Sequence, residues 1–293
     1  RKIDNLDAYP LLEEISNLEK TILDLEKQEE WDEASQIANK ALALQRNLNN
    51  NYRGTIHFDS NKLSDLKIKY ASLRSRKYYE KIKELTSQGD FEYDKRRYSA
   101  ASSLYLEALK VQEYVNANFI SSPHASKEKI IEFTKKSESA ASYEIGQDIL
   151  SQSIILDESL RGRDEFRFNK TISILINLVD RMEGEFPLSI FNDEKAFDKI
   201  KYLYLMRNDI FFIQDKIYDK LLPLPKIEDI LMFKTEINQA LYAIIANVNP
   251  SRDLGNTKPA ESVSWVEANR FCERLSHIMG YRVRLPQEYE YRE

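Results

Sequence analysis

Apolar residues over the first 222 positions recur at the spacing of amphipathic helices. The first run has intervals of four and three residues, which places its members on one helix face: Leu11, Ile15, Leu18, Ile22 and Leu25. Asp7 and Pro10 stand before most of this run, where a cap and a first turn belong. We therefore predict a first helix that begins near Asp7.

The same periodicity predicts six further helices and a mainly α chain. The second helix begins near Trp31 and ends in the asparagine-rich residues 47–51. The others cover about residues 60–87, 91–116, 126–160, 164–182 and 192–222. Gly89, Gly162 and Gly184 each follow a predicted helix, and we expect each glycine to end it.

One helical pattern, an aromatic residue followed by small residues, recurs along the chain. Its first two copies lie 67 residues apart: Trp31, Ala34, Ala38, Ala41, Leu42 and Gln45, then Tyr98, Ala101, Tyr105, Ala108, Leu109 and Gln112. We place a fainter third copy 45 residues further on, beginning at Tyr143. Small residues at these positions would let a helix pack closely against its neighbour.

Residues 78–112 resemble the second helix of a tetratricopeptide hairpin and its surroundings. The spacing of the copies departs from the 34-residue period of that family. We therefore predict an irregular helical bundle or helical-repeat array over residues 1–224. The alternative is that the pattern reflects ordinary helix packing.

Tyrosines and basic residues occur together between residues 70 and 114. A basic and aromatic surface can bind a peptide or stack nucleobases. Alternatively, the tyrosines pack between helices while the cations cover solvent-exposed faces. Our candidate partner surface consists of Tyr78, Tyr79, Arg96, Arg97, Tyr98 and Tyr105.

Composition narrows the classes of partner. The chain has 43 basic and 48 acidic residues, a balance that argues against a nucleic-acid partner and leaves a protein partner. No run of about 18 apolar residues is present to span a membrane. The single cysteine cannot form an internal disulfide, which favours a reducing compartment, and we expect a cytoplasmic location.

The composition of the chain changes after Leu222, where two prolines in three residues predict a stiff linker up to Lys226. Beyond it we predict helices over about residues 238–246 and 266–279, a loop over 249–259, and a strand over 281–285. These short mixed elements indicate a separate α/β segment over residues 225–293.

Four motifs occur in order in this segment. They are Glu236-Ile-Asn-Gln-Ala-Leu-Tyr242, Asn249-Pro-Ser251, Pro259-Ala-Glu-Ser-Val-Ser-Trp265 followed by Phe271-Cys272, and Arg284-Leu-Pro-Gln-Glu-Tyr-Glu-Tyr291. Over about 60 residues they resemble the N-terminal part of the formylglycine-generating (sulfatase-modifying factor) family. The resemblance implies part of a C-type-lectin-like domain, truncated at residue 293.

The resemblance gives these motif residues structural roles, and six of them carry it: Glu236, Tyr242, Trp265, Phe271, Arg284 and Glu288. We expect Trp265 and Phe271 to share one helical flank and anchor the core, and Arg284 to reach Glu288 or Glu290. A truncated domain could not close the family core alone. We therefore expect the segment to be poorly ordered or packed against the helices.

Chemistry-bearing residues do not form a recognisable catalytic or metal site in the sequence. The family has a catalytic cysteine pair near the end of its domain, and no position here matches that pair; Cys272 matches a structural cysteine. His57, His124 and His277 lack ligand spacing, and the glycines form no phosphate-binding loop. We predict no catalytic residues, no metal and no cofactor.

Three functions stay open at this stage. The first is a non-catalytic protein-binding or scaffold protein in which the helices and the lectin-like segment each recognise a partner. The second is part of a formylglycine-generating-type enzyme whose catalytic residues lie beyond Glu293. The third is a helical spacer in a larger signalling protein.

Overall fold

The computed structural model describes residues 2–53, 55–224 and 229–290. Helices account for 72% of the described residues, and the strands described form one two-stranded sheet. The predicted mainly α class is therefore confirmed. Pro225 and Lys226 of the predicted linker, and Tyr291 of the last motif, lie outside the described residues.

The chain forms two compact units, Arg1–Ala141 and Ser142–Glu293. The first unit contains five helices, each of which packs on the next. They are α1 (Lys2–Lys27), α2 (Trp31–Asn51), α3 (Ser60–Asp94), α4 (Tyr98–Asn118) and α5 (Lys127–Ala141). This packed helical array is consistent with the predicted helical repeat.

The second unit contains six helices and a short hairpin in its described residues. The helices are α6 (Tyr143–Gly162), α7 (Glu165–Glu185), α8 (Glu194–Met206), α9 (Ile210–Tyr218), α10 (Gln239–Ala246) and α11 (Trp265–Met279). Strands β1 (Leu221–Pro223) and β2 (Leu231–Phe233) are antiparallel, with Leu222 opposite Met232. One hydrophobic core joins helices α6–α9 to α10 and α11.

Several predicted helix ends differ from the structure. Pro10 lies inside α1, whose buried face continues towards the N-terminus through Ala8. Gly89 lies inside α3, where it makes room for the Tyr105 ring, and Gly184 lies inside α7. The predicted helix over 126–160 is two helices, α5 and α6, separated by Ser142. The predicted helix over 192–222 is divided into α8 and α9 and is followed by β1.

No strand forms over residues 281–285 of the described chain, although their apolar alternation predicts one. The Ser276 hydroxyl explains part of the difference, because it accepts from the Val283 N–H at 2.8 Å. Its single proton has the Cys272 carbonyl at 2.7 Å and the Val283 carbonyl at 3.1 Å as acceptors. This side chain therefore takes the N–H bond that a neighbouring strand would otherwise accept.

The division into compact units lies after Ala141, whereas the sequence suggested a boundary at residue 224. The segment beyond the linker instead packs on helices of the second unit, one of the two outcomes expected for it. The buried Gln214 side chain on α9 makes part of this connection. Its amide donates to the carbonyls of Leu160 on α6, at 3.1 Å, and Ile278 on α11, at 2.8 Å.

Candidate functional site

Helix boundaries reveal a 67-residue repeat in three copies. Helices α2, α4 and α7 begin at residues 31, 98 and 165 and end at 51, 118 and 185. We call α1–α2 the first copy, α3–α4 the second copy and α5–α7 the third copy. The helix that corresponds to α2 and α4 in the third copy therefore begins at Glu165, whereas our fainter copy of the aromatic–small pattern begins at Tyr143, the first residue of α6.

The copies share their turns and their buried positions. The residue in the turn before α2, α4 and α7 has a positive φ in every copy: Glu29 at 62°, Arg96 at 59° and Arg163 at 54°. Buried positions at the 67-residue offset recur in all three copies, on both helices of each pair: 8/75/142, 15/82/149, 22/89/156, 34/101/168, 38/105/172, 41/108/175, 45/112/179 and 48/115/182. These positions define the common scaffold.

An asparagine fastens the loop that follows α2 and the loop that follows α4. In the first copy, Asn49 donates to the Asp59 carbonyl at 2.9 Å and accepts from the Asp59 N–H at 3.1 Å. In the second copy, Asn116 makes the same two bonds to Ser126, both at 2.9 Å. We did not recognise this pair from the sequence, although Asn49 and Asn116 stand at the offset already found for the helices.

Tyr105 and Tyr79 of the candidate partner surface have packing roles. Tyr105 is 3% exposed, and its hydroxyl donates to Asp90 at 2.7 Å. Burial and this bond raise the pKa of Tyr105. Tyr79 is half-buried and stacks on His124 with ring centroids 4.4 Å apart. For these two residues the alternative of packing between helices is correct.

Ser75 and His124 have the distance of a nucleophile and its base, but their surroundings indicate a structural role. The Ser75 hydroxyl lies 2.9 Å from His124 Nδ1 and 2.7 Å from the Ser122 hydroxyl. Ser75 is fully buried, so no substrate reaches it. In the third copy, Ser142 and Ser189 make the corresponding 2.7 Å bond without a histidine.

Tyr78 is half-buried against the core of the first unit and lies at the edge of an aromatic and cationic surface on α3 and α4, where Arg74, Lys77 and Tyr114 are exposed. Its ring lies 4.9 Å from that of Tyr114, which is 45% exposed. The Lys77 ammonium lies 5.3 Å from the Tyr78 ring, and the Arg74 guanidinium lies 5.8 Å from the Tyr70 ring. We call Tyr70, Arg74, Lys77, Tyr78 and Tyr114 the Tyr78 surface.

The Tyr78 surface carries positive charge that the fold does not neutralise. Arg74 donates to the Tyr70 hydroxyl at 3.1 Å, and this bond raises the pKa of Arg74. Within the described part of the chain, neither Arg74 nor Lys77 pairs with a carboxylate. The Tyr78 hydroxyl raises the pKa of Tyr114, so the Tyr114 phenol is neutral near pH 7.

Arg96, Arg97 and Tyr98 lie in the turn at the other end of the same two helices. Arg97 pairs with Glu92 at 3.3 Å, and the Tyr98 ring lies 5.2 Å from that of Tyr93. Next to this turn is a groove of about 610 Å³, which we call the Phe91 groove. It is lined by Ser87, Gln88, Phe91, Glu92, Ala100, Ser103 and Leu104. The structure thus separates our candidate residues into two buried or stacked tyrosines and two exposed surfaces.

A second cavity, of about 360 Å³, lies between α1 and α2. Its lining is largely polar and includes Glu13, Glu14 and Lys40. Lys40 and Glu14 are themselves paired at 2.8 Å. This cavity therefore lacks the apolar lining typical of a peptide or ligand site.

Some motif residues of the second unit are buried in its core, and others are exposed to solvent. Tyr242 and Phe271 are buried and stack with centroids 5.1 Å apart. Trp265 is 73% exposed and does not anchor the core as we expected. Six positions rotate a helix by about 240°, so Trp265 and Phe271 cannot share a flank of α11. Glu236 is also exposed.

Arg284 finds its carboxylate partner in Glu290. The two side chains form a bidentate pair at 2.7 and 2.5 Å, and the Gln287 N–H donates to Glu290 at 2.6 Å. These bonds lower the pKa of Glu290 to about 2. Glu288, the other predicted partner, is exposed. Arg284 therefore fixes the last described loop.

Gln239 organises the loop that contains the Asn-Pro-Ser motif. Its amide donates to the carbonyls of Asp253 and Pro259, at 2.9 and 3.2 Å. Its carbonyl accepts from Asn249 at 3.1 Å and from the Gly255 N–H at 3.0 Å. All four hydrogen bonds of this buried amide are thus made within the motif segment.

No group of metal-ligating side chains occurs among the described residues. Cys272 is buried, and burial raises the pKa of its thiol, which disfavours a reactive thiolate. Among the helices that the structure describes, none is long and apolar enough to span a membrane.

No family model, curated protein or solved structure matches the chain. The resemblance to the formylglycine-generating family therefore stays a prediction.

Proposed function

We propose that this chain is a non-catalytic protein-binding or scaffold protein that docks a partner on the second copy of its helical repeat. The observation that carries the proposal is the Tyr78 surface. Exposed aromatic rings and arginine are enriched at the centres of protein interfaces, because they bury much area at little entropic cost.

A comparison of the copies supports a role beyond packing for this surface. Arg74, Lys77 and Tyr114 correspond to Asp7, Pro10 and Asn47 in the first copy. In the third copy the same positions hold Ala141, Glu144 and Arg181. Buried positions stay buried in every copy, whereas these exposed ones take the cationic and aromatic combination in the second copy alone.

The C-terminal segment would supply a second recognition surface if it adopts the C-type-lectin-like fold. The dense hydrogen bonding around Gln239 supports a segment whose shape depends on loops rather than on strands. Exposed Trp265 would be available to a partner there. The proposal keeps a protein partner, no nucleic acid and a cytoplasmic location.

Selection from a displayed peptide library on the full chain tests the proposal. We expect enrichment of peptides that carry carboxylates next to an aromatic or aliphatic side chain. Their affinity should fall about tenfold or more in an Arg74→Glu, Lys77→Glu variant. Lys127→Glu with Lys135→Glu is the matched control, since it makes the same charge change on exposed positions of α5.

Two results would contradict docking of a protein on this surface. One is the absence of any enriched peptide that binds the folded chain. The other is that single-stranded RNA binds the chain and is lost in the Arg74→Glu, Lys77→Glu variant, because the surface would then stack bases.

A further inference from the structure

The Phe91 groove is open because the second copy has short or apolar side chains between its helices. In the third copy, Glu158 and Arg167 stand at the positions of Phe91 and Ala100 and form a salt bridge at 2.9 Å. That pair places two long charged side chains between α6 and α7. In the second copy, Ala100 has no side chain that could fill the corresponding space.

The rest of the lining follows the same trend. Ser87 stands where the other copies have Lys20 and Ile154, and Ser103 stands where they have Gln36 and Lys170. In the first copy the positions of Phe91 and Ala100 hold Asp24 and Glu33. The second copy thus combines small groove walls with one large exposed ring, since Phe91 is 58% exposed.

Positive charge borders the open groove. The Lys95 ammonium lies 5.5 Å from the Phe91 ring, and Arg96 is exposed in the turn. Neither cation pairs with a carboxylate among the described residues, whereas Arg97 is neutralised by Glu92. Asp94 follows Phe91 by three residues and is exposed on the same part of the α3 surface, so one carboxylate stands beside these two cations.

We propose that the Phe91 groove binds an acidic peptide segment through one aliphatic or aromatic side chain. The anchor side chain would lie against Phe91, Ala100 and Leu104, and carboxylates of the segment would pair with Lys95 and Arg96. This inference rests on the proposed function and names a second site and a partner chemistry for it. An apolar anchor supplies affinity, and the charges supply orientation and rate.

Fluorescence anisotropy with the full chain tests this proposal. The probe is a labelled glutamate-rich peptide with one central leucine. We expect it to bind and to weaken about tenfold in Ala100→Arg, which fills the groove as Arg167 does in the third copy. Ser99→Arg is the matched control, because it adds the same charge at an exposed position of α4 outside the groove.

Further variants keep the test independent of folding and of simple charge attraction. Phe91→Glu with Ala100→Arg restores the salt bridge that the third copy already uses, so the helices should form and binding should be lost. Replacement of the leucine in the peptide by serine should weaken binding about tenfold. Charge reversal at Lys95 and Arg96 should weaken binding and reduce its dependence on salt.

The outcomes separate this inference from the proposed function. Equal binding of the probe to Ala100→Arg, or of the serine peptide to the natural chain, would overturn the groove. Failure of the probe to bind while library-selected peptides bind at the Tyr78 surface would also overturn the groove and leave the proposed function standing. Failure of both the probe and the library would overturn both.

Discussion

The second and third copies of the repeat bury the same set of positions and expose different chemistry between their helices. In the third copy, Glu158 and Arg167 bridge α6 and α7 by an ion pair. In the second copy, Phe91 and Ala100 leave an apolar groove with cations at one end. The difference teaches that the scaffold constrains buried positions and leaves exposed ones available for function.

Buried volume is also redistributed between the copies. The positions of Ile22 and Ala38 in the first copy hold Gly89 and Tyr105 in the second and Leu156 and Ile172 in the third. In the first and second copies a large residue on one helix is met by a small one on the other, whereas the third copy has two aliphatic residues. Cores tolerate such exchanges when total volume is kept.

The largest expected effects are at a buried position shared by all copies. Met182→Ala and Leu48→Ala should each lower the free energy of unfolding by about 2–5 kcal/mol, because both side chains are fully buried. Val115→Ala, at the same position, should cost about 2 kcal/mol, since fewer carbons are lost. Guanidinium unfolding followed by circular dichroism measures these changes.

Exposed neighbours provide the control for this prediction. Asn50→Ala and Asp180→Ala should change the free energy of unfolding by less than about 0.5 kcal/mol. A cost at Met182 as small as that at Asp180 would mean that the 67-residue offset does not mark a common core.

The next expected effect compares two side chains at corresponding positions. Asn116 is a neutral side chain that bonds the loop of the second copy, and Glu183 is a charged one in the third copy. Asn116→Ala removes both bonds to Ser126 and should cost about 1–3 kcal/mol. In the third copy Glu183 occupies the position of Asn116. It pairs with Lys201 at 2.6 Å, and both side chains are half-exposed. Glu183→Ala should therefore cost less than about 1 kcal/mol.

Asn116→Asp sharpens this prediction because it removes the donor and keeps the acceptors. Its free energy of unfolding should lie between those of the natural chain and Asn116→Ala. If Glu183→Ala cost as much as Asn116→Ala in guanidinium unfolding, the loop fastening would not differ between the copies.

Much of this scaffold was predictable from the sequence, because helix periodicity and the small residues of α2 and α4 are local signals. The third copy was not recognised because Glu165 replaces the aromatic residue and Phe168 replaces the alanine that open the pattern. Paired substitutions on two neighbouring helices hide such a copy, because each substitution fits the core only together with the one on the facing helix.

Features of the C-terminal segment show a second reason for failure. Alternating apolar residues near Val283 predict a strand, but the Val283 N–H donates to the Ser276 side chain instead of to a neighbouring strand. Trp265 is a large aromatic residue, a type usually found in cores, but its side chain is exposed. The candidate partner surface stays a prediction, and the burial of one of its residues, Tyr105, depends on Gly89, which we had assigned to a helix end.

A smaller effect is expected for the exchange of volume between Gly89 and Tyr105. A Cβ at residue 89 would lie 2.6 Å from the Tyr105 ring, so Gly89→Ala should cost about 1–2 kcal/mol despite the helical preference of alanine. Gly89→Ile with Tyr105→Ala grafts the first copy's pair. The double variant should be more stable than the sum of its single changes by about 1 kcal/mol or more. Strictly additive costs would show that the two positions are not coupled.

The smallest effect concerns His124, which the third copy replaces by Phe191. Burial lowers the pKa of His124, and Arg76 lowers it further, so the folded chain keeps this ring neutral. Its contribution to stability is then complete above the ordinary histidine pKa of about 6.5 and is lost as pH falls through the lowered value. His124→Phe keeps a ring beside Tyr79 and has no proton to bind. The free energy of unfolding of the natural chain should therefore fall more steeply than that of the variant between about pH 6.5 and pH 5.

His277→Phe is a poor control because burial lowers the pKa of His277 as well, so Phe133→Leu, a core change without a titrating group, serves instead. Parallel pH profiles for the natural chain and His124→Phe would mean that the bond to Ser75 leaves this histidine free to titrate as it does in the unfolded chain.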